Sequence, residues 1–496
     1  MRTALLASVA LLLGLASCKS DRQDAALQNG QCDTYVGVSV RFPAPETRAL
    51  PDDHNKLGEW QGRDVIKKIK VYVATTSNGA TTISSNQFTE ANFGGINNGI
   101  LAPNLAVEAK SGDKVKVYVV INDVNKKVTS ILDQKAANGA TFDDEFKKAV
   151  ATVAAIADVA KYDAEKDIVL MTNEKAPEDM TIKPNISKED AIGGKANRVE
   201  VRVSRVASRA IVTVDDEVKK TIEVKRSFTD AKGVTTEQKT ATVTVKNIMY
   251  QVTGSALQFN VLEDRTNWKV AAPVYDFAPT SSTWAALATE ADGKMLFSDA
   301  EGYKAALTAT DNTVENVKKA LGDEKFSKFV LPVTHAEGKY MKGNTTMFEI
   351  KATFTVDMID GVAPTSTDAQ TVYLGLSDGK FYSTKEKAEA MDVNATSTSE
   401  KKQSAKEYKN GEMYYYIWLN PNVDYNDLTK TISESPTVRN QVYHAHITGF
   451  GEMGVADKDE IKPDDPLETK KTHLSVQLRV LPWTIHSYTV NLINRY

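Results

Sequence analysis

Few side chains in this 496-residue chain are grouped as chemistry would require. The nearest approach is His444 and His446, two apart in a run that reads as a strand, so both point to one face. Zinc would need a third ligand and hydrogen bonds that orient the imidazoles. His335, His473 and His486 are histidines that could add that ligand, but a pair of half-exposed strand histidines explains the spacing equally simply. Asp457-Lys458-Asp459-Glu460 is acidic yet lacks the glycine and ligand spacing of a calcium loop. No G-x-S-x-G or H-E-x-x-H occurs, and no glycine-rich loop ends in Lys followed by Ser or Thr. Gly193-Gly194-Lys195 lies between polar segments and reads as a turn. No carboxylate pair flanking a cleft is identifiable, so a carbohydrate-active enzyme has no support. Tyr414-Tyr415-Tyr416-Ile417-Trp418 has the composition of a ligand platform and equally that of a strand buried on both faces; we read it as core. The pattern calls for no catalytic residue, no metal and no cofactor.

The two cysteines are more informative. Arg2 gives a positive start. The apolar run Ala4 to Leu15 is too short to span a bilayer as a stop-transfer helix. It closes on Leu15-Ala16-Ser17-Cys18, which resembles a bacterial lipobox, with small residues at the cleavage point and Cys18 as the acylated residue. Each buried CH₂ of a lipid chain contributes about 0.8 kcal/mol, so multiple acylation anchors firmly. With Cys18 acylated, Cys32 has no partner within the chain and a disulfide framework is excluded. The fold must then hold by packing and β-ladders.

Around these sites the elements are mostly strands. Residues 19–33 are polar and read as a tether. Val36, Val38, Val40 and Phe42 then alternate with Gly37, Ser39 and Arg41, a half-buried strand at period two. Pro43 and Pro45 end it, and Arg48 follows in the exposed-looking stretch Glu46 to Pro51. Further strands read at 65–73, 115–121, 198–214, 240–251, 348–356, 371–376, 414–419, 442–448, 474–480 and 485–492. A helical patch reads at 143–159, and 454–472 reads as a loop. Many short strands with Gly, Asn and Asp turns predict a mainly β chain of two β-sandwich domains with a few short helices. The domain boundary is placed near residue 215. With 61 basic and 65 acidic residues, the net charge of −4 offers no footprint for nucleic acid.

Several segments together resemble the fimbrillins of type V pili in Bacteroidales, closest to those of the short, or minor, fimbriae. They are Gly58-Glu59-Trp60, the run Val115 to Asp123, Ser204 to Ala210, Leu331-Pro332-x-Thr334-His335 and Gly343-Asn344-Thr345. More specific are Trp418-Leu419-Asn420-Pro421, then Val438-Arg439-Asn440-x-Val442-Tyr443-His444-x-His446-Ile447. Leu481-Pro482-Trp483-x-x-His486-Ser487-Tyr488 closes the match, which covers nearly the whole chain.

The resemblance implies transthyretin-like, Greek-key sandwiches and a structural subunit of a surface fimbria serving adhesion and biofilm formation. It implies export as a lipoprotein, held to the outer membrane by lipid until an extracellular arginine-specific protease cuts it. Cleavage is expected between Arg48 and Ala49, removing the strand that carries Val36, Val38, Val40 and Phe42. Burying that row at about 1.5–3 kcal/mol per side chain amounts to roughly 6–12 kcal/mol gross, so an empty groove would be refilled by strand addition. The expected donor starts at Ile485, because Tyr488, Val490 and Leu492 lie on one face at period two. The chain then divides into a signal peptide (1–18), a propeptide (19–48), an N-terminal sandwich (49–215) and a C-terminal sandwich with the donor strand (216–496). Expected partners are other copies, accessory tip and anchor proteins, the protease, and host or bacterial receptors. The rival readings are a tip or anchor subunit of the same pilus and a glycan-binding surface lipoprotein.

Overall fold

The computed structural model describes residues 32–42, 65–92, 100–101, 106–163, 166–262, 297–298, 304–305, 327–333, 341–397, 400–419, 439–457, 465, 479–482 and 490–492. Cys18, Arg48, Ala49 and Tyr488 lie outside these residues. The chain is mostly β with a few short helices, as the alternating patterns predict.

It divides into two compact units, and the division is not a single cut. The first unit takes Met1–Pro43, Ile66–Ala149 and Met171–Ser204; the second takes Ala44–Val65, Val150–Leu170 and Arg205–Tyr496. The limit lies at Ser204 and Arg205 rather than near 215, because the strand Ser208–Lys219 runs through that point.

In the first unit the main strands are β1 (Thr34–Arg41), β2 (Lys68–Ser77), β3 (Ala80–Thr89), β4 (Gly112–Ile121) and β5 (Arg198–Arg205). The hydrogen-bonded order is β3, β2, β4, Met171–Asn173, β5, β1 and Ile100–Leu101. Asn78 and Gly79 both have positive φ, as a two-residue hairpin turn between β2 and β3 demands. Val71, Val73, Val117 and Val119 are buried in one apolar cluster. On the opposite face, Tyr72 and Tyr118 meet two short helices, α1 (Thr129–Lys135) and α2 (Phe142–Lys148). The Tyr118 ring packs edge-on against Phe142 and Phe146, at 5.1 and 4.8 Å between centroids. Its hydroxyl donates to Asp143 at 2.9 Å. These central strands are buried on both faces, hence their nearly continuous apolar sequences.

The helix expected over 143–159 stops at Lys148. Val150–Thr152 instead pairs antiparallel with Gln258–Asn260, so tertiary pairing overrides the local helical composition.

The second unit contains two five-stranded sheets. One centres on β6 (Ser208–Lys219), and the other begins with β7 (Thr221–Thr229), β8 (Thr235–Thr253) and β9 (Met347–Val356). It continues to β10 (Glu412–Trp418), while β11 (Gln441–Phe450) runs parallel to β6. Side chains of both sheets, including Val212, Val243, Phe348 and Trp418, share one buried cluster, as facing layers do. Tyr415, Tyr416, Ile417 and Trp418 are therefore core, as their composition suggested. Asp167, on the hairpin of Ala160–Asp163 and Lys166–Val169, forms a fully buried ion pair with Arg209. The Arg209 guanidinium also lies 4.3 Å from the Phe329 ring centre.

Cys32 is disulfide-bonded, and no cysteine among the described residues is free. This overturns the expectation that Cys32 lacks a partner.

Candidate functional site

The described residues hold no group of three or more His, Cys, Asp or Glu arranged for a metal. What stands out is the way β1 is seated. Val36, Val38, Val40 and Phe42 are all buried in the first unit's core, at 0, 3, 0 and 8% exposure. The sequence reading of this apolar row therefore holds in the fold. The other face was expected to be half-exposed, and here the structure differs. Gly37 and Ser39 are buried too, Gly37 beneath a helix α3 (Lys188–Ile192).

Both edges of β1 are paired. On one side it runs parallel to β5, with Val38 opposite Val199 and Val40 opposite Val201. On the other it runs antiparallel to two short strands, with Val36 opposite Val107 and Val40 opposite Leu101. Neighbours across the ladder are thus apolar on both sides, which sets register as well as burial.

Polar groups fasten the two ends. Asp33 accepts from the Ser111 amide and hydroxyl, each at 2.6 Å, and its own amide donates to the Ala109 carbonyl at 3.1 Å. Asp33, the last residue of the stretch read as a tether, is thus tied into the first unit. Thr34 Oγ1 donates to the Lys183 carbonyl at 2.7 Å, and Asn197 Nδ2 donates to Thr34 Oγ1 at 2.9 Å. At the far end the Arg41 guanidinium grips Glu200 through two bonds, of 2.5 and 2.8 Å. The Arg41 bond holds the Glu200 carboxyl below the ordinary carboxylate range. The Arg41 backbone is paired on both sides, with Arg202 and with Ile100.

At the other end of the chain, Val490–Leu492 forms a short strand parallel to β11, with Val490 opposite Ile447 and Leu492 opposite Phe450. The proposed donor residues Val490 and Leu492 thus pair within their own chain here. His444 and His446 lie on β11, opposite Ile211 and Thr213 of β6.

Three groups at the β1 seat escaped the sequence reading: Gly37, Asn197 and α3. A glycine inside an otherwise apolar strand is itself a signal of close backbone approach. Asn197, with φ of 52°, occupies the left-handed conformation that asparagine tolerates. Its pairing with Thr34 across 163 residues has no local signature.

A family model described as major fimbrial subunit protein type IV, fimbrillin, C-terminal, matches residues 406–489, which include β10 and β11. The chain is also 27% identical over 512 residues to the minor fimbrium subunit Mfa1 of Porphyromonas gingivalis, covering 97% of each. The chain is thus similar to fimbrial subunits. A second Mfa1 of that organism matches at 27% over 514 residues. Among solved structures, a fimbrilin of Porphyromonas gingivalis W83 aligns with a TM-score of 0.37 and 13% identity, covering 94% of this chain and 99% of that one. The family model and the Mfa1 matches bear out the resemblance to fimbrillins on which the sequence reading rested.

Proposed function

We propose that this chain is the polymerising shaft subunit of a cell-surface fimbria serving adhesion and biofilm formation. It is exported as a lipoprotein acylated at Cys18 and cut between Arg48 and Ala49. Loss of β1 then opens a groove that a strand from another copy fills. The observation that carries this reading is the seat of β1: an apolar row fully buried, laddered on both edges and located upstream of the candidate cut. Removing it exposes Val107, Leu101, Val199 and Val201 along two unpaired backbone edges, a template for strand addition. Head-to-tail contacts of this kind do not close, so they build filaments. Partners are further copies, accessory tip and anchor subunits, an arginine-specific extracellular protease, and host or bacterial receptors.

The donor in this reading is the segment from Ile485 with Tyr488, Val490 and Leu492. In the unassembled subunit its last residues rest on β11. N-terminal sequencing of purified fibres tests the cut: Ala49 is the expected first residue. A start upstream of Thr34 means that β1 is retained, which favours an anchor role. Fatty-acid labelling tests the anchor. Labelling should vanish in Cys18→Ala. An unlabelled wild-type precursor with no free thiol would mean that the disulfide has taken Cys18 instead.

A further inference from the structure

The outer face of β1 is covered by one continuous segment, residues 183–197, consisting of a turn, α3 and a second turn. Most of its bonds outside itself go to β1. The Asn185 amide donates to the Asp33 carbonyl at 3.0 Å, and the Tyr35 amide donates to the Ile186 carbonyl at 3.3 Å. The Ile186 amide donates to Thr34 Oγ1 at 3.2 Å, and the Gly37 amide donates to the Asn197 carbonyl at 3.0 Å. The segment also closes on itself, because Asn197 bonds both the amide and the carbonyl of Lys183, at 2.7 and 2.8 Å. It is a self-contained strap clipped onto the strand.

The strap sits so close that position 37 admits only glycine. A Cβ there would lie 2.2 Å from the Ala191 carbonyl oxygen and 2.7 Å from its carbon. Both atoms are backbone, so no side-chain rotation relieves the contact. Of the chain's 27 glycines, Gly37 alone has apolar residues one before, one after and three after it. No other segment running in the direction of β1 can fill the pockets of Val36, Val38 and Val40 while placing glycine beneath Ala191.

We infer that residues 183–197 act as a selective strap: they close only on a strand with the sequence of β1, and they must be displaced before a donor strand of different sequence can occupy the groove. Gly37 is the positioning residue of this device, and its effect is confined to the precursor because it leaves with β1. The device explains how the groove distinguishes its resident strand from an incoming one of similar apolar pattern. It rests on the strand-exchange reading above.

Two measurements test it. Synthetic peptides spanning Asp33–Phe42, native and Gly37→Ala, are added to freshly cleaved subunit during assembly. The native peptide should block polymerisation at a concentration at least tenfold lower than the Gly37→Ala peptide, because the strap can close on it; equal potency overturns the inference. Hydrogen exchange in uncleaved precursor and assembled fibres gives an independent readout without variants. The Asn185 and Ile186 amides should exchange at least tenfold faster in the fibre. Equal protection in both states shows that the strap never moved, and the inference fails. If neither peptide acts, the exchange measurement decides. The strand-exchange reading fails on a different result, namely fibres whose N-terminus lies upstream of Thr34.

Discussion

The chain's first and last described strands are opposites in how they are held. β1 lies between β5 and two short strands, is bonded at both ends by Asp33, Thr34 and Arg41, and is strapped across its outer face. Val490–Leu492 spans three residues and pairs, among the described residues, with β11 alone. It shares one edge of β11 with Arg479–Pro482, since β6 occupies the other. A strand held like β1 does not leave by fraying and has to be severed from the chain, whereas a strand held like Val490–Leu492 can lift off through local opening. The two therefore suit different roles: an occupant removed once and for all, and a donor that leaves its own subunit.

The largest effect that could break this contrast comes from truncation after Ser487. We expect folded, secreted monomers that form no fibres, seen by electron microscopy and size exclusion. Continued polymerisation would remove the donor role from the C-terminal segment. Loss of folding would instead show that Val490–Leu492 is as integral to its unit as β1 is to the first.

Next in size is Val40→Asp, which places a carboxylate in the core between Leu101 and Val201. An uncompensated buried charge costs about 3–5 kcal/mol, so the denaturation midpoint of the precursor should fall steeply. Fibres assembled from any processed material should match wild type, because the residue has been discarded. A matching loss of fibre stability would show that β1 stays in the polymer.

Asn197→Ala is a milder probe of the strap. It removes donors to Thr34, Tyr35 and Lys183, at a cost of about 1–3 kcal/mol for the groups left buried. Precursor stability should fall accordingly, with faster exchange at Ile186. An unchanged midpoint would demote this network to surface decoration.

The smallest effect is that of pH on the Arg41–Glu200 clasp. The Arg41 bond lowers the Glu200 pKa in the folded precursor relative to the unfolded chain. The clasp is therefore fully present above the ordinary carboxylate range and is lost as pH falls through the folded value. Exchange at the Arg41 end of β1 should rise on acidification in wild type, and that rise should be absent in Glu200→Gln. Identical profiles would mean that solvent screening has already erased the clasp.

The contrast also marks what could be read from sequence. The apolar row of β1 was legible down to Phe42, because a strand with a consistent inward face writes period two into the chain. The face carrying Gly37 and Ser39 was misread as open. Small and polar residues look alike whether they meet water or a backbone pressed against them, and Ala191 lies far away in sequence. The parallel pairing with β5 was invisible for the same reason: local pattern carries no partner address. Val150–Leu170 was assigned by position to the first domain, yet Asp167 finds its charge partner at Arg209 in the second unit. The lipid at Cys18 was read from the lipobox-like run before it and the cut at Arg48 through the family resemblance; both residues lie outside the described ones.

The wide separation between β1 and β5 has a consequence for the order of events during folding. Ser39 and the carbonyl it bonds on Val199 are 160 residues apart. A chain emerging from its N-terminus exposes β1 early, but the parallel ladder cannot form until Arg198–Arg202 have also emerged. Closing so long a loop is entropically costly and slow. β1 is therefore fully seated only once Arg198–Arg202 are in place, and until then its valines lack part of their cover. Delayed seating leaves a window in which the groove is open, and a strap that accepts only glycine at the right place would favour β1 over an apolar strand of any other sequence.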